Sequence, residues 1–162
     1  MEPQQFIKGV LVGEVKDVVA HHAYLAFPLI GIGIEFLGRA LDTEHDWNHD
    51  YRGSAPPFDL AMTTLFPARY RDKRLRELMR NGLLHFYRPK PGLLLSEVND
   101  AIEGVITYGN HPYRDRQGNV TIVAEYLYID FVDACHKVIR KRFPAGDKMR
   151  RPFVRTDVAP IR

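Results

Sequence analysis

Cysteine is nearly absent from this chain: Cys135 is the only one in 162 residues. A lone thiol excludes an intramolecular disulfide, and without a Cys-x-x-Cys pair a zinc finger or thioredoxin-type redox site is excluded too. A reducing, cytoplasmic setting is the simple expectation. Serine is almost as scarce, since Ser54 and Ser96 are the only two and neither lies in G-x-S-x-G, which leaves no nucleophile elbow. Gly31-Ile32-Gly33 lacks the third glycine of a dinucleotide fingerprint, and no Walker-type loop occurs. Long apolar runs are missing as well. The longest, from Tyr24 to Gly38, contains Pro28 and Glu35 and falls short of the roughly 18 to 20 residues that span a bilayer. It reads as a buried helix, with no membrane partner expected. No charged leader precedes an apolar core at the start, so export is not expected either. Internal repeats and low-complexity tracts are absent.

What is present suits one globular domain. The hydrophobic share of 45% supplies enough side chains to bury a sizeable core at this length. Net charge is only +3, yet it is uneven. Arg69, Arg71, Lys73, Arg74, Arg76 and Arg80 crowd one stretch, and Lys137, Arg140, Lys141, Arg142, Lys148, Arg150 and Arg151 crowd another. Two basic clusters suit a polyanionic partner, although long basic side chains also serve simply to solvate helix faces.

Apolar spacing sets the expected elements. Ile7, Val10, Leu11, Val15, Val18 and Val19 step at helical intervals in a helix weakened by Gly9 and Gly13. From about His22 to Leu41 the pattern is apolar nearly all round, as in the central helix of a bundle, with Glu35 and Arg39 one turn apart and a bend expected at Pro28. Asp42 to Pro57 reads as a loop. Helices are expected over Phe58–Phe66, Ala68–Tyr87 and Glu125–Arg142. Between the last two, Val105–Tyr108 and Val120–Val123 are β-branched or aromatic runs separated by turn residues, which predicts a β-hairpin within about 104–124. The expectation is a mainly α domain over 1–143 with a hairpin inserted before the last helix, then a basic, proline-punctuated, flexible tail over 144–162.

The chemistry concentrates in Arg80-Asn81-Gly82-Leu83-Leu84-His85-Phe86-Tyr87. On a helix Glu77, Asn81 and His85 share one face, and Arg80 flanks Asn81 about 100 degrees round. Metal-free RNA cleavage needs a base for the 2'-hydroxyl, an acid for the leaving 5'-oxygen and a cation for the charge on the phosphorane. His85 can move the proton, Arg80 can fork onto the phosphate, and Asn81 and Tyr87 can orient them, with Glu77 in support. One histidine can hardly be acid and base together. Two copies of the helix meeting across a two-fold axis supply the second, so a homodimer is expected.

R-x-x-x-x-H with Asn directly after the Arg, continued as H-x-Y, resembles the signature of the HEPN superfamily; Arg80, Asn81, His85 and Tyr87 match it. The resemblance implies a bundle of four to five helices, dimerisation through the motif helices, and endonucleolytic cleavage of RNA that leaves a 2',3'-cyclic phosphate. It implies RNA as substrate and neither cofactor nor metal, and the basic stretch Arg69, Arg71, Lys73, Arg74 and Arg76 beside the motif is the flank expected to contact it. In toxin–antitoxin relatives with H-x-Y, an antitoxin-like nucleotidyltransferase can modify the tyrosine, here Tyr87. "IEFLGRALD", "FDLAMTTLFPARY" and "RNGLLHFY" together are also similar to a diffuse group of bacterial proteins of unknown function.

Other readings stand beside this one. A non-catalytic module that binds nucleic acid or assembles with a protein would use the same helix and its basic flank. A purely structural helix end would have His85 on a backbone carbonyl, Asn81 and Gly82 permitting close packing, and Arg80 neutralising Glu35. His45-Asp46-Trp47-Asn48-His49-Asp50 offers ligand types a divalent metal accepts, but it lacks the Glu of H-E-x-x-H and reads as a solvated loop, with no metal expected. His111 and His21-His22 carry little information. Cys135, on the apolar face of the last helix, is expected to be a packed core residue.

Overall fold

The computed structural model describes residues 2–52, 55–84, 91–100, 105–140 and 149, with the backbone alone at 55, 83 and 84. Its N-terminal helical run is α1 (Pro3–Phe6), a π-helical segment (Ile7–Glu14) and α2 (Val15–His21). Ile7, Leu11, Val15 and Val19 form its buried line, one residue in four. The expected α-helix is therefore widened over its glycine-containing part. Gly9 and Gly13 have no Cβ to hold the backbone in α geometry, which lowers the cost of i→i+5 bonding.

Helix α3 (Ala23–Leu41) runs through Pro28 and is the element around which α2, α4 (Ala55–Thr64), α5 (Lys73–Leu84) and α6 (Ala124–Ile139) pack. Phe27, Ile30, Ile34 and Leu37 on α3 meet Phe58 and Met62 from α4 and Phe131 from α6 in one core. Two glycines let the helices close. A Cβ on Gly38 would fall 1.7 Å from the Pro57 carbonyl oxygen of α4, and one on Gly33 would fall 2.4 Å from the Phe131 ring. The helix is not apolar all round for burial's sake, because Leu25, Leu29 and Ile32 lie on an exposed face. At 19 residues it is long and apolar enough to cross a membrane, by length and composition only, and half of its most apolar stretch is buried inside the fold.

The molecule is mainly helical with a small three-stranded sheet. Strands β1 (Leu93–Ser96), β2 (Tyr113–Arg114) and β3 (Val120–Val123) lie in the order β1-β3-β2. The expected hairpin is present as β2 and β3, with Tyr113 opposite Thr121, but its first arm is not Val105–Tyr108, which leads instead into a 3-10 turn at Tyr108–Asn110. The hairpin turn is closed by Asp115, which accepts the Asn119 N–H at 2.8 Å, and by Gly118 at φ +84°. Strand β1 was not expected. It pairs in parallel with β3, Leu93 opposite Val120 and Ser96 opposite Val123. Of the expected tail only Met149 is described, and it is buried against the core.

Candidate functional site

Helix α5 starts where Asp72 accepts the Leu75 N–H at 2.7 Å, a side-chain cap for an amide the helix leaves unbonded. A 3-10 turn (Ala68–Tyr70) precedes it, so the single expected helix over Ala68–Tyr87 is broken at this cap. Leu75 and Met79 are buried, and Gly82 faces inward, where a Cβ would meet Leu93 of β1 at 2.4 Å. The outer side carries Lys73, Glu77, Arg80 and Asn81. Glu77 is exposed and loosely paired with Lys73 at 3.9 Å, while Arg80 and Asn81 are half-buried on the last turns. His85 and Tyr87 lie outside the described residues.

Arg80 has no ion-pair partner among the described residues, and Glu35 is neutralised by another side chain. Arg39 donates to Glu35 through Nε at 3.3 Å and Nη2 at 3.1 Å. The basic flank divides into two groups. Arg71, Lys73 and Arg74 are exposed. Arg76 is tied to Asp59 of α4 at 3.0 Å and also donates to the Arg71 carbonyl, and Arg69 points into the fold.

Arg69 enters a polar network that the sequence did not reveal. Asp130 of α6, buried, accepts Arg69 Nη2 on both oxygens at 2.7 and 2.5 Å, the Tyr70 hydroxyl at 2.7 Å and the Tyr108 hydroxyl at 2.7 Å. The Tyr70 hydroxyl lies 3.1 Å from His111 Nδ1, and His111 Nε2 accepts the Val123 N–H at 3.0 Å. Because Nε2 accepts and the Tyr70 proton goes to Asp130, Nδ1 carries the imidazole proton and donates to Tyr70. Burial pushes the His111 pKa down to about 4, which keeps this neutral tautomer. Burial and the Asp130 charge raise the Tyr70 phenol. The Arg69 guanidinium lies 4.7 Å from the Tyr108 ring centre, and its Nε is a buried donor with no partner among the described residues.

Over residues 42–52 the expected loop is organised around Asp42, whereas Ala55-Pro56-Pro57, expected to close it, begin α4. That carboxylate accepts the Glu44 N–H at 2.8 Å, the His45 N–H at 3.2 Å, His45 Nδ1 at 2.8 Å and the Tyr51 hydroxyl. Burial works to raise its pKa, but these donors outweigh it and hold the group below the usual carboxylate range. The His45 and His49 rings stack with centroids 3.8 Å apart. Arg39 donates to the Trp47 and His49 carbonyls and sits 4.8 Å from the Tyr51 ring centre. Among the described residues no group of three or more His, Cys, Asp or Glu is placed to hold a metal ion.

Comparison with known proteins adds no family. No protein-family model matches the chain, and neither a curated protein nor a solved structure was found similar to it.

The buried network was missed because its members stand far apart in sequence, Tyr70 from Asp130 by 60 positions. The one available signal was an Asp within the apolar face of the last helix. A carboxylate at a position spaced for burial calls for a cation and hydroxyls nearby.

Proposed function

We propose that this protein is a metal-independent endoribonuclease of the HEPN type that works as a homodimer. The observation that carries the reading is the state of Arg80: a guanidinium without an ion pair among the described residues, beside Asn81, on the outer edge of a helix whose inner edge is locked by Leu75, Met79 and Gly82. A structural arginine would be expected to find a carboxylate, as Arg69 and Arg76 do.

In this reading Arg80 forks onto the scissile phosphate and Asn81 and Tyr87 orient it. One copy of His85 takes the proton of the 2'-hydroxyl as that oxygen bonds to phosphorus. The second copy, from the partner subunit's motif helix, protonates the 5'-oxygen as its bond to phosphorus breaks. The products are a 2',3'-cyclic phosphate and a free 5'-hydroxyl. Arg71, Lys73 and Arg74, solvated and on or beside the same helix, guide the strand. These same cations support a second reading, a module that binds RNA or an antitoxin-like protein without cutting.

The test is cleavage of a single-stranded RNA followed by analysis of the product ends. Cyclic phosphate ends from the wild type, with Arg80→Ala lowering the rate by about 100-fold or more, fit the proposal. RNA retained but uncut supports the second reading.

A further inference from the structure

The loop organised by Asp42 and the first turns of α4 line an open cleft of about 710 Å³, a volume within the range of small-molecule sites. Leu41, Pro56 and Leu60 give it an apolar floor. Its wall is the stacked imidazole pair of His45 and His49, tilted by 28°, with the Tyr51 ring edge-on to both at 5.6 and 4.8 Å. The outer face of this π-rich stack, beside the apolar floor, suits a heteroaromatic ring.

Hydrogen-bonding groups around the cleft select the ring. Asp42 has its oxygens filled by Tyr51, His45 and two backbone amides, so it orders the wall and has little left for a ligand. What remains at the rim is rich in acceptors. Glu44 is exposed with no ion-pair partner among the described residues, and Asp50 accepts the Arg52 N–H at 2.8 Å. Arg52 is the one cation among the described lining residues. A ligand led by phosphate would meet the Asp42, Glu44 and Asp50 carboxylates against the single Arg52 cation of the described lining, whereas a ring with N–H donors in its own plane would be welcomed.

We propose that this cleft is a nucleobase pocket that selects guanine, with the base against the His45–His49 stack and its N1–H and N2–H donors shared by the Glu44 carboxylate. Guanine presents two adjacent donors on its pairing edge. Adenine, cytosine and uracil each have a single donor there with an acceptor next to it, which sets a lone pair against the carboxylate. The inference does not depend on the cleavage reading: guanosine binding stands if RNA is never cut, and cutting by α5 stands if guanosine does not bind.

Trp47, the single tryptophan, is stacked on Phe36 within the same loop and reports on it by fluorescence. Titration of the full chain with guanosine is expected to saturate. Inosine, which lacks the N2 donor, binds about fivefold more weakly, and adenosine and cytidine about tenfold more weakly. Glu44→Gln, on an exposed side chain, keeps the far-ultraviolet circular dichroism and Tm of the wild type and loses most of the preference for guanosine. His49→Ala weakens every nucleoside alike. The proposal is overturned by no saturation up to about 10 mM guanosine, a ceiling only weak encounters exceed. Equal binding of all four nucleosides, or a Glu44→Gln protein that binds guanosine as the wild type does, overturns it as well. Binding of agmatine without guanosine overturns it and assigns the rim carboxylates to a cation.

Discussion

Arg69 and Arg80 sit on neighbouring elements and have opposite surroundings: one is locked to Asp130, the other is half-buried on α5 with no charge partner among the described residues. The Asp130 network carries a measurable pH signature through His111. Its folded pKa of about 4 lies below the ordinary imidazole value of 6.5, so the folded state binds fewer protons between those limits. Stability is complete above about pH 6.5, falls as pH drops toward 4, and levels off once both states are protonated, a loss of up to about 3 kcal/mol. Asp42, whose pKa is lowered, adds its own loss only below about pH 4. Urea unfolding across pH 7 to 4 should show this slope, and His111→Gln should flatten it. A steric prediction belongs to Gly38. An alanine there must push α4 off α3 at the Pro57 carbonyl, and a loss of about 3 kcal/mol is expected in the same assay.

At the scale of elements, the β-containing insertion braces the motif helix at both ends. Before α5, Tyr70 is held by His111 and Asp130 while Arg69 lies against Tyr108; near its C-terminal end, Leu93 of β1 fills the space that Gly82 leaves open. Gly82, which weakens a helix in isolation, makes room here for Leu93. Replacing Asp130 by Asn strips the charge that neutralises a half-buried guanidinium and should cost about 3 to 5 kcal/mol. Tyr108→Phe removes one hydroxyl from the same carboxylate and should cost about 1 kcal/mol, both read from thermal unfolding. The helices were legible because α3, α5 and α6 bury residues at helical intervals. The sheet was only half legible, since Leu93–Ser96 is four residues long and acquires its role from a parallel partner far along the chain. The His45–His49 stack was hidden too, because Asp42 holds one ring and a turn at Asp46 returns the other to it.

For the molecule as a whole, the sequence motif and the fold address different halves of one claim. Arg80, Asn81 and Glu77 are presented at the surface of a helix tied down on its inner side, and the surrounding Arg71, Lys73 and Arg74 remain solvated. His85 and Tyr87, which complete the motif, were legible only as residue types at a spacing. The exposed side chains of Leu25, Leu29 and Ile32 show that α3 is central without being enclosed, something all-round apolarity could not distinguish. The central claim is that the α5 motif cleaves RNA without a metal. It is tested most directly by incubating end-labelled single-stranded RNA with the full chain in excess EDTA, beside His85→Ala. The account predicts cleavage by the wild type and intact RNA with the variant; RNA left intact by both, or cut equally by both, would contradict it.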